Sequence, residues 1–180
     1  MVTTLNLTSL QRALFSLLCK TAGSRINQRA LAARLKVTPA AVSKALPGLE
    51  ERGLILVKKQ GAMNLKEVEL NRDDHHVVQL KRIENVREIY GSGLLDALAE
   101  RYAGSTIVLI GSYARGEDTV RSDIDLVIIG SKEKAVDLQV FEKMLERPVR
   151  ITYVRSLSSL SPEFRESVIN GIVLEGGLRL

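Results

Sequence analysis

Apolar positions along the first third of the chain keep helical spacing and then change to a two-residue period. Leu10, Leu14, Leu17 and Leu18 mark one face of a helix. Thr8 or Ser9 stands where a cap belongs, and Gly23 lies just past its end. Leu31 and Leu35 define a second helix over about 27–35, followed by the turn Lys36-Val37-Thr38. Thr38-Pro39 then signals a third helix: a capping hydroxyl, with proline at the first helical position, where its missing N–H costs nothing. This helix should run to Arg52 and end at Gly53. Pro47 inside it removes the hydrogen bond to the Ser43 carbonyl and crowds that carbonyl, so a kink or break is expected near 43–47. Two strands, 54–59 and 65–70, flank a turn at 60–64. Cys19 falls on the apolar side of the first helix and reads as a small core residue.

Farther on, the polar turn Asn71–Asp74 can cap a helix running to about Tyr90. Its apolar residues, among them Val77, Leu80, Ile83, Val86 and Ile89, are spread too widely for one face. This helix is expected to pack on two domains or on a second chain. His75 and His76 beside two aspartates resemble metal ligands, but adjacent residues of a helix do not face one another, so a capped helix start is the better reading. Gly91-Ser92-Gly93 interrupts the chain before a short helix over 94–102. Thr106–Ile110 is a buried strand with Gly111-Ser112 at its end, then a helix-like turn over 113–116 and a polar loop. A second apolar run carries Asp123 and Asp125 into Leu126–Ile129; alternation puts both carboxylates on one face, about 7 Å apart, with Ile124 facing the core.

The chain therefore divides into an N-terminal domain (1–70), a connector (71–91) and a C-terminal domain (92–180), an α+β organisation overall. Within 180 residues, 45% are hydrophobic but only 4% aromatic, so the cores must be aliphatic. One cysteine excludes a disulfide framework or a cysteine-built zinc cluster. No apolar run is long enough to span a bilayer and Met1–Lys20 lacks signal-peptide features, so the expectation is a cytoplasmic protein without membrane contact. Charge is uneven: residues 1–90 carry 15 basic and 8 acidic side chains, residues 91–180 carry 11 and 13. The front half suits a polyanion and the back half suits cations.

Three helices and a hairpin, with a short turn between helices two and three, is the order of a winged helix-turn-helix. The stretch "NQRALAARLKVTPAAVSKALPGLEERGLI" resembles the DNA-binding domains of MarR-like regulators, a likeness covering residues 8–70. It implies a third helix in the major groove of double-stranded DNA, with Thr38, Ala40, Ala41, Ser43 and Lys44 toward the bases. Arg29, Arg34, Lys36, Lys58 and Lys59 would contact phosphates, adding affinity without sequence information. The same helical trio also serves as a protein-docking module. A homodimer through the connector helix is expected, as regulators of this kind usually bind two-fold sites.

In the back half, two carboxylates on one face of a greasy strand repel each other. A divalent cation shared with substrate phosphates would relieve this. Gly111 lets a phosphate approach the backbone, and Ser112 offers a hydroxyl and N–H groups at a helix start. The residues "GSYARGEDTVRSDID" resemble the signature of minimal nucleotidyltransferases of the DNA polymerase β-like superfamily, including catalytic subunits encoded beside HEPN toxins. That resemblance covers 92–178, with "FRESVINGIVLEGG" as a helix-like tail. It implies a small α/β fold with a mixed sheet and a nucleoside triphosphate, ATP in the first place. Gly111 and Ser112 would lie on its phosphates, and Asp123 and Asp125 would hold Mg²⁺ as the catalytic pair. Arg115 and Ser122 match motif positions; Arg115 would contact phosphate or pair with Glu117 or Asp118.

The implied reaction is nucleotidyl transfer to a protein hydroxyl, for instance on a HEPN-type toxin. Active members carry a third carboxylate on a later strand, and the matching segment Val149–Val154 has none: Arg150 or Thr152 stands there. The nearest acids, Glu142 and Glu146, read as exposed helix residues. An arginine repels a metal and cannot accept a proton at neutral pH. Two readings follow, a nucleotidyltransferase or a repressor that senses nucleotide without turning it over. A third is a regulator whose second domain serves only for dimerisation.

Overall fold

The computed structural model describes residues 6–60 and 65–178, without the side chains of Lys59, Gln60 and Leu65. The chain forms two compact units, 1–81 and 82–180.

In the first unit, helix α1 (Ser9–Lys20) is followed by a two-residue strand β1 (Ile26–Asn27), then α2 (Gln28–Leu35) and α3 (Pro39–Glu50). Strands β2 (Ile55–Gln60) and β3 (Leu65–Leu70) complete it. Of the turn expected at 60–64, Gln60 ends β2 instead, and residues 61–64 lie outside the described residues. Each helix start has its cap. The Thr8 hydroxyl accepts from the Gln11 N–H while Gln11 reaches back to the Thr8 N–H. Asn27 accepts from Ala30 N–H at 2.8 Å, and Thr38 from Ala41 N–H at 3.2 Å. The core is aliphatic: Leu14, Leu18, Leu31, Val42, Leu49 and Val68 are fully enclosed, and Cys19 lies buried among them.

Two expectations change here. β1 was not anticipated; it pairs antiparallel with β3, making a three-stranded sheet in the order β1-β3-β2. Two residues are too few to show a periodicity, so only pairing reveals the strand. The expected break at Pro47 is also absent: α3 continues through it to Glu50. Pro47 lies in the last turn, where one missing bond leaves little helix to disrupt, and its own carbonyl accepts from Glu51 N–H at 2.9 Å.

Helix α4 (His75–Gly91) runs across the boundary, giving Val77 to the first core and Ile89 to the second. At its start Asp74 accepts from the His76 N–H at 2.8 Å, and both histidines are exposed, as a capped helix start requires.

The second unit continues with α5 (Leu94–Arg101), β4 (Thr106–Ile110), α6 (Gly111–Arg115) and β5 (Ile124–Ile129). Then come α7 (Gln139–Leu145), β6 (Val149–Val154), a 3₁₀ turn (Leu157–Ser159), α8 (Pro162–Ile169) and β7 (Ile172–Glu175). The sheet order is β6-β5-β4-β7, with β5 parallel to β6 and β4 antiparallel to both β5 and β7. It is the expected mixed sheet. The helix-like tail is corrected: α8 is followed by a strand, β7. Gly171 ends the helix where a Cβ would meet the Leu109 carbonyl at 2.7 Å, so the chain passes close against β4 before pairing with it. Ile124, Leu126 and Ile128 face one apolar cluster, and Val127 and Ile129 face the other, which is closed by Val168 and Phe164 of α8.

Candidate nucleotide site and candidate nucleic-acid interface

The acidic pair sits at the start of β5. Asp123 immediately precedes the strand, and Asp125 is opposite Ile110, the last residue of β4. By strand alternation Asp125 lies on the face of Val127, the side that α8 covers. The chain then turns sharply at Gly111, which begins α6 with φ +74°. A Cβ on Gly111 would meet Asp125 Oδ2 at 2.7 Å. Only glycine combines that left-handed backbone with so close a carboxylate. The two halves of the motif, with ten residues intervening between Ser112 and Asp123, are thus in direct steric contact.

Opposite them on β6, Arg150 is in register with Asp125, and its Nε lies 2.7 Å from Asp123 Oδ2. The arginine side chain is 72% exposed and that of Asp123 24%. Burial raises the Asp125 carboxyl above its ordinary value; the Asp123 charge adds to this, and Arg150 opposes it. Thr152, the other candidate for the third position, lies exposed and farther along β6, opposite Val127.

This geometry bears on a divalent ion. No group of three His, Cys, Asp or Glu among the described residues could hold one, and the guanidinium already occupies an Asp123 oxygen. The residues present do not fit a two-metal centre.

Glu142 is corrected: it is half-buried rather than a surface helix residue, and its carboxylate accepts from the Val149 N–H at 2.8 Å, anchoring the start of β6. Glu146 is exposed, ending α7 in a left-handed conformation with φ +55°.

Arg115 takes the ion-pair alternative, its Nε 2.7 Å from Glu117 Oε2. Ser122 uses its hydroxyl to accept from the Thr119 N–H at 2.9 Å, shaping the loop before the aspartates. Ser112 is half-buried in α6, and its carbonyl accepts from Glu117 N–H at 3.0 Å.

Several residues support the site in ways the sequence did not signal, Asp118 among them, which pairs with Arg147 and not with Arg115. Asp118, 1% exposed, accepts from Asn85 Nδ2 at 2.6 Å, and its other oxygen is 3.8 Å from Arg147 Nη2. Asn85 also donates to the Tyr113 carbonyl at 2.9 Å, tying α6 to α4. Glu163 and Glu166 of α8 line a pocket of about 260 Å³ with Gly111 and Arg115. No motif marks them; only the packing of α8 brings them there.

In the first unit, α3 exposes Ala40 and Lys44 four residues apart, and Thr38 at its start is exposed too, though its hydroxyl is engaged as the cap. Ala41 and Ser43 are half-buried. Arg29, Arg34 and Lys36 are exposed on and just after α2, Lys36 with φ +54°. Lys58 is exposed but bound: its Nζ is 3.0 Å from Glu69 Oε1, while Arg25 Nε holds Oε2 at 3.1 Å. That clamp keeps the Glu69 carboxyl below its ordinary value, with the Lys58 hydrogen bond as the largest cause. Arg25 was not anticipated as part of this surface. The Lys59 side chain lies outside the described residues.

Residues 92–174 match the family model of the nucleotidyltransferase domain. The C-terminal segment is thus similar to nucleotidyltransferase domains. No curated protein matches the chain significantly. Among solved structures, a double mutant of Lactococcus lactis ZitR is 24% identical, matching 54% of this chain and 64% of its own, with a TM-score of 0.41. The chain thus spans under two thirds of that protein's length. ZitR itself, a zinc-responsive MarR family member, is 20% identical over 57% of this chain and 68% of its own, with a TM-score of 0.43. BldR of Sulfolobus solfataricus, a transcriptional regulator, is 25% identical over 53% and 64%, with a TM-score of 0.38. The winged-helix description of the first unit rests on its own element order and on the β1-β3-β2 register. No described helix is long and apolar enough to cross a membrane.

Proposed function

We propose that this chain is a DNA-binding regulator whose nucleotidyltransferase domain binds a nucleoside triphosphate as a signal. The observation that carries this reading is the ion pair between Arg150 and Asp123, on the strand where the resemblance implies a third carboxylate and Arg150 or Thr152 stands instead. The residues that would meet phosphate are kept: Gly111 lies against Asp125, with Ser112 beside it at the start of α6. The group that would take a proton from an attacking hydroxyl is replaced by one that cannot. Binding without turnover follows.

In the first unit, the exposed positions of α3, Thr38, Ala40 and Lys44, are offered to base edges, with the half-buried Ala41 and Ser43 behind them. Arg29, Arg34, Lys36, Lys58 and Lys59 are assigned to phosphates. Lys58 can do so only by sharing its charge with Glu69. The proposed working form is a cytoplasmic homodimer through α4, on which Ile83 is 63% and Tyr90 51% exposed.

The family match favours a second reading, transfer of a nucleotidyl group from ATP to a hydroxyl of a partner protein such as a HEPN-type toxin. The hydroxyl would attack the α-phosphate and pyrophosphate would leave. Mg²⁺ on Asp123 and Asp125 belongs to this reading, and it requires Arg150 to release Asp123.

The test is calorimetric titration of ATP into wild type and into Asp123→Asn/Asp125→Asn, followed by DNA affinity with and without nucleotide. Sensing predicts binding to wild type and a DNA affinity that shifts with nucleotide. By linkage, DNA must then shift nucleotide affinity by the same factor. Binding that needs Mg²⁺ and that the double substitution abolishes would instead mean that the aspartates hold the nucleotide through a cation. Label from α-labelled ATP on an acceptor protein would replace sensing with transfer. Failure of ATP, GTP, CTP and UTP to bind would end both readings.

A further inference from the structure

The acidic pair needs positive charge, and the chain supplies its own. Arg150 stands on the neighbouring parallel strand, in register with one aspartate and 2.7 Å from the other. A guanidinium stays charged at every pH a protein meets and presents five donors in a fixed plane. Here Nε is spent on Asp123, and the side chain is largely exposed, so its terminal nitrogens are accessible to another oxygen ligand. A divalent ion approaching Asp123 meets a fixed positive charge and must first displace this contact.

We propose that Arg150 is a built-in cation for this site. It excludes a divalent ion from Asp123 and itself donates to the phosphates of a bound nucleoside triphosphate, which is held with little dependence on metal. The proposal rests on the nucleotide-binding reading for its second half, but the metal exclusion stands without it. Both are specificity: the site is tuned to take a phosphate anion rather than a metal–phosphate complex.

Two titrations on the full chain separate these parts. The first uses Mn²⁺ alone, with no nucleotide, followed by electron paramagnetic resonance of free Mn²⁺. Wild type should bind weakly, and Arg150→Asp should bind at least about tenfold tighter, since a repelling charge becomes an attracting one. Arg150→Gln should fall between. The second titrates ATP in EDTA and in excess Mg²⁺. Wild type should bind in both within a few-fold, whereas Arg150→Gln should lose binding in EDTA and recover it with Mg²⁺.

Equal Mn²⁺ affinity in wild type and both variants would overturn the exclusion. ATP binding by wild type that vanishes in EDTA would overturn the role toward phosphate. ATP failing to bind under any condition would refute the nucleotide reading, while the Mn²⁺ series would still decide whether Arg150 excludes metal. Arg150 is exposed at the sheet edge, and matching tyrosine spectra across the three proteins establish that each is folded.

Discussion

Gly111→Ala tests the central contact of the site most directly. Two costs are predicted. The backbone at Gly111 has φ +74°, a conformation that costs a residue with a Cβ about 1–2 kcal/mol. The new methyl would also lie 2.7 Å from Asp125 Oδ2, well inside van der Waals contact, and the strand beneath that carboxylate is held by pairing on both sides. Overpacking of this kind adds about 1–3 kcal/mol, for a total of about 2–5 kcal/mol. A double-mutant cycle with Asp125→Ala separates the terms, because truncating the carboxylate removes the clash and leaves the backbone cost. In that background Gly111→Ala should cost only about 1–2 kcal/mol. All four tyrosines, Tyr90, Tyr102, Tyr113 and Tyr153, lie in the second unit, so tyrosine fluorescence in urea follows that unit selectively. A cost for Gly111→Ala that is the same with and without the Asp125 carboxylate would refute the steric argument. So would a cost below about 1 kcal/mol, which would mean that the backbone there is not held left-handed.

Asp118→Ala should destabilise the second unit by about 3–5 kcal/mol in the same assay, because it leaves the buried Arg147 without its carboxylate; Asp118→Asn should cost less by keeping the Asn85 contact. Asp125 gives a pH test. Its folded pKa is raised, so its contribution to stability is complete below the ordinary value of 3.8 and is lost as pH rises through the folded value. Asp125→Asn should then match wild type in acid and exceed it near neutrality, and an equal offset at both ends would contradict this. Thr38→Ala should cost about 1 kcal/mol of first-unit stability through loss of the cap, measured by far-ultraviolet circular dichroism in urea. In DNA binding followed by anisotropy across a salt series, Arg29→Ala should reduce the slope of log affinity against log salt by about 0.9. Lys58→Ala should reduce it less, because Glu69 already claims part of that charge; equal effects would show that the clamp opens on DNA.

What could be read from the chain alone was whatever repeats locally. The 3.6 and 2.0 periods located most of the helices and strands, Thr8 and Thr38 marked helix starts, and the spacing of Gly111-Ser112 and Asp-x-Asp marked the site. These signals survive in sequence because each is set by residues within a few positions of one another. β1 and β7 escaped because two and four residues carry no periodicity, and each exists only through its partner strand. Whether Pro47 breaks α3 could not be read locally, because its cost depends on where the helix ends. The resemblance implied a third carboxylate, and the sequence of Val149–Val154 holds no acid. Only the parallel register of β5 and β6 put Arg150 onto Asp123, and only the packing of α8 brought Glu163 and Glu166 beside Gly111. Local spacing thus determined which groups this protein possesses. Which charges face one another depended on strand order and register, which are settled by burying apolar surface between segments far apart in the chain.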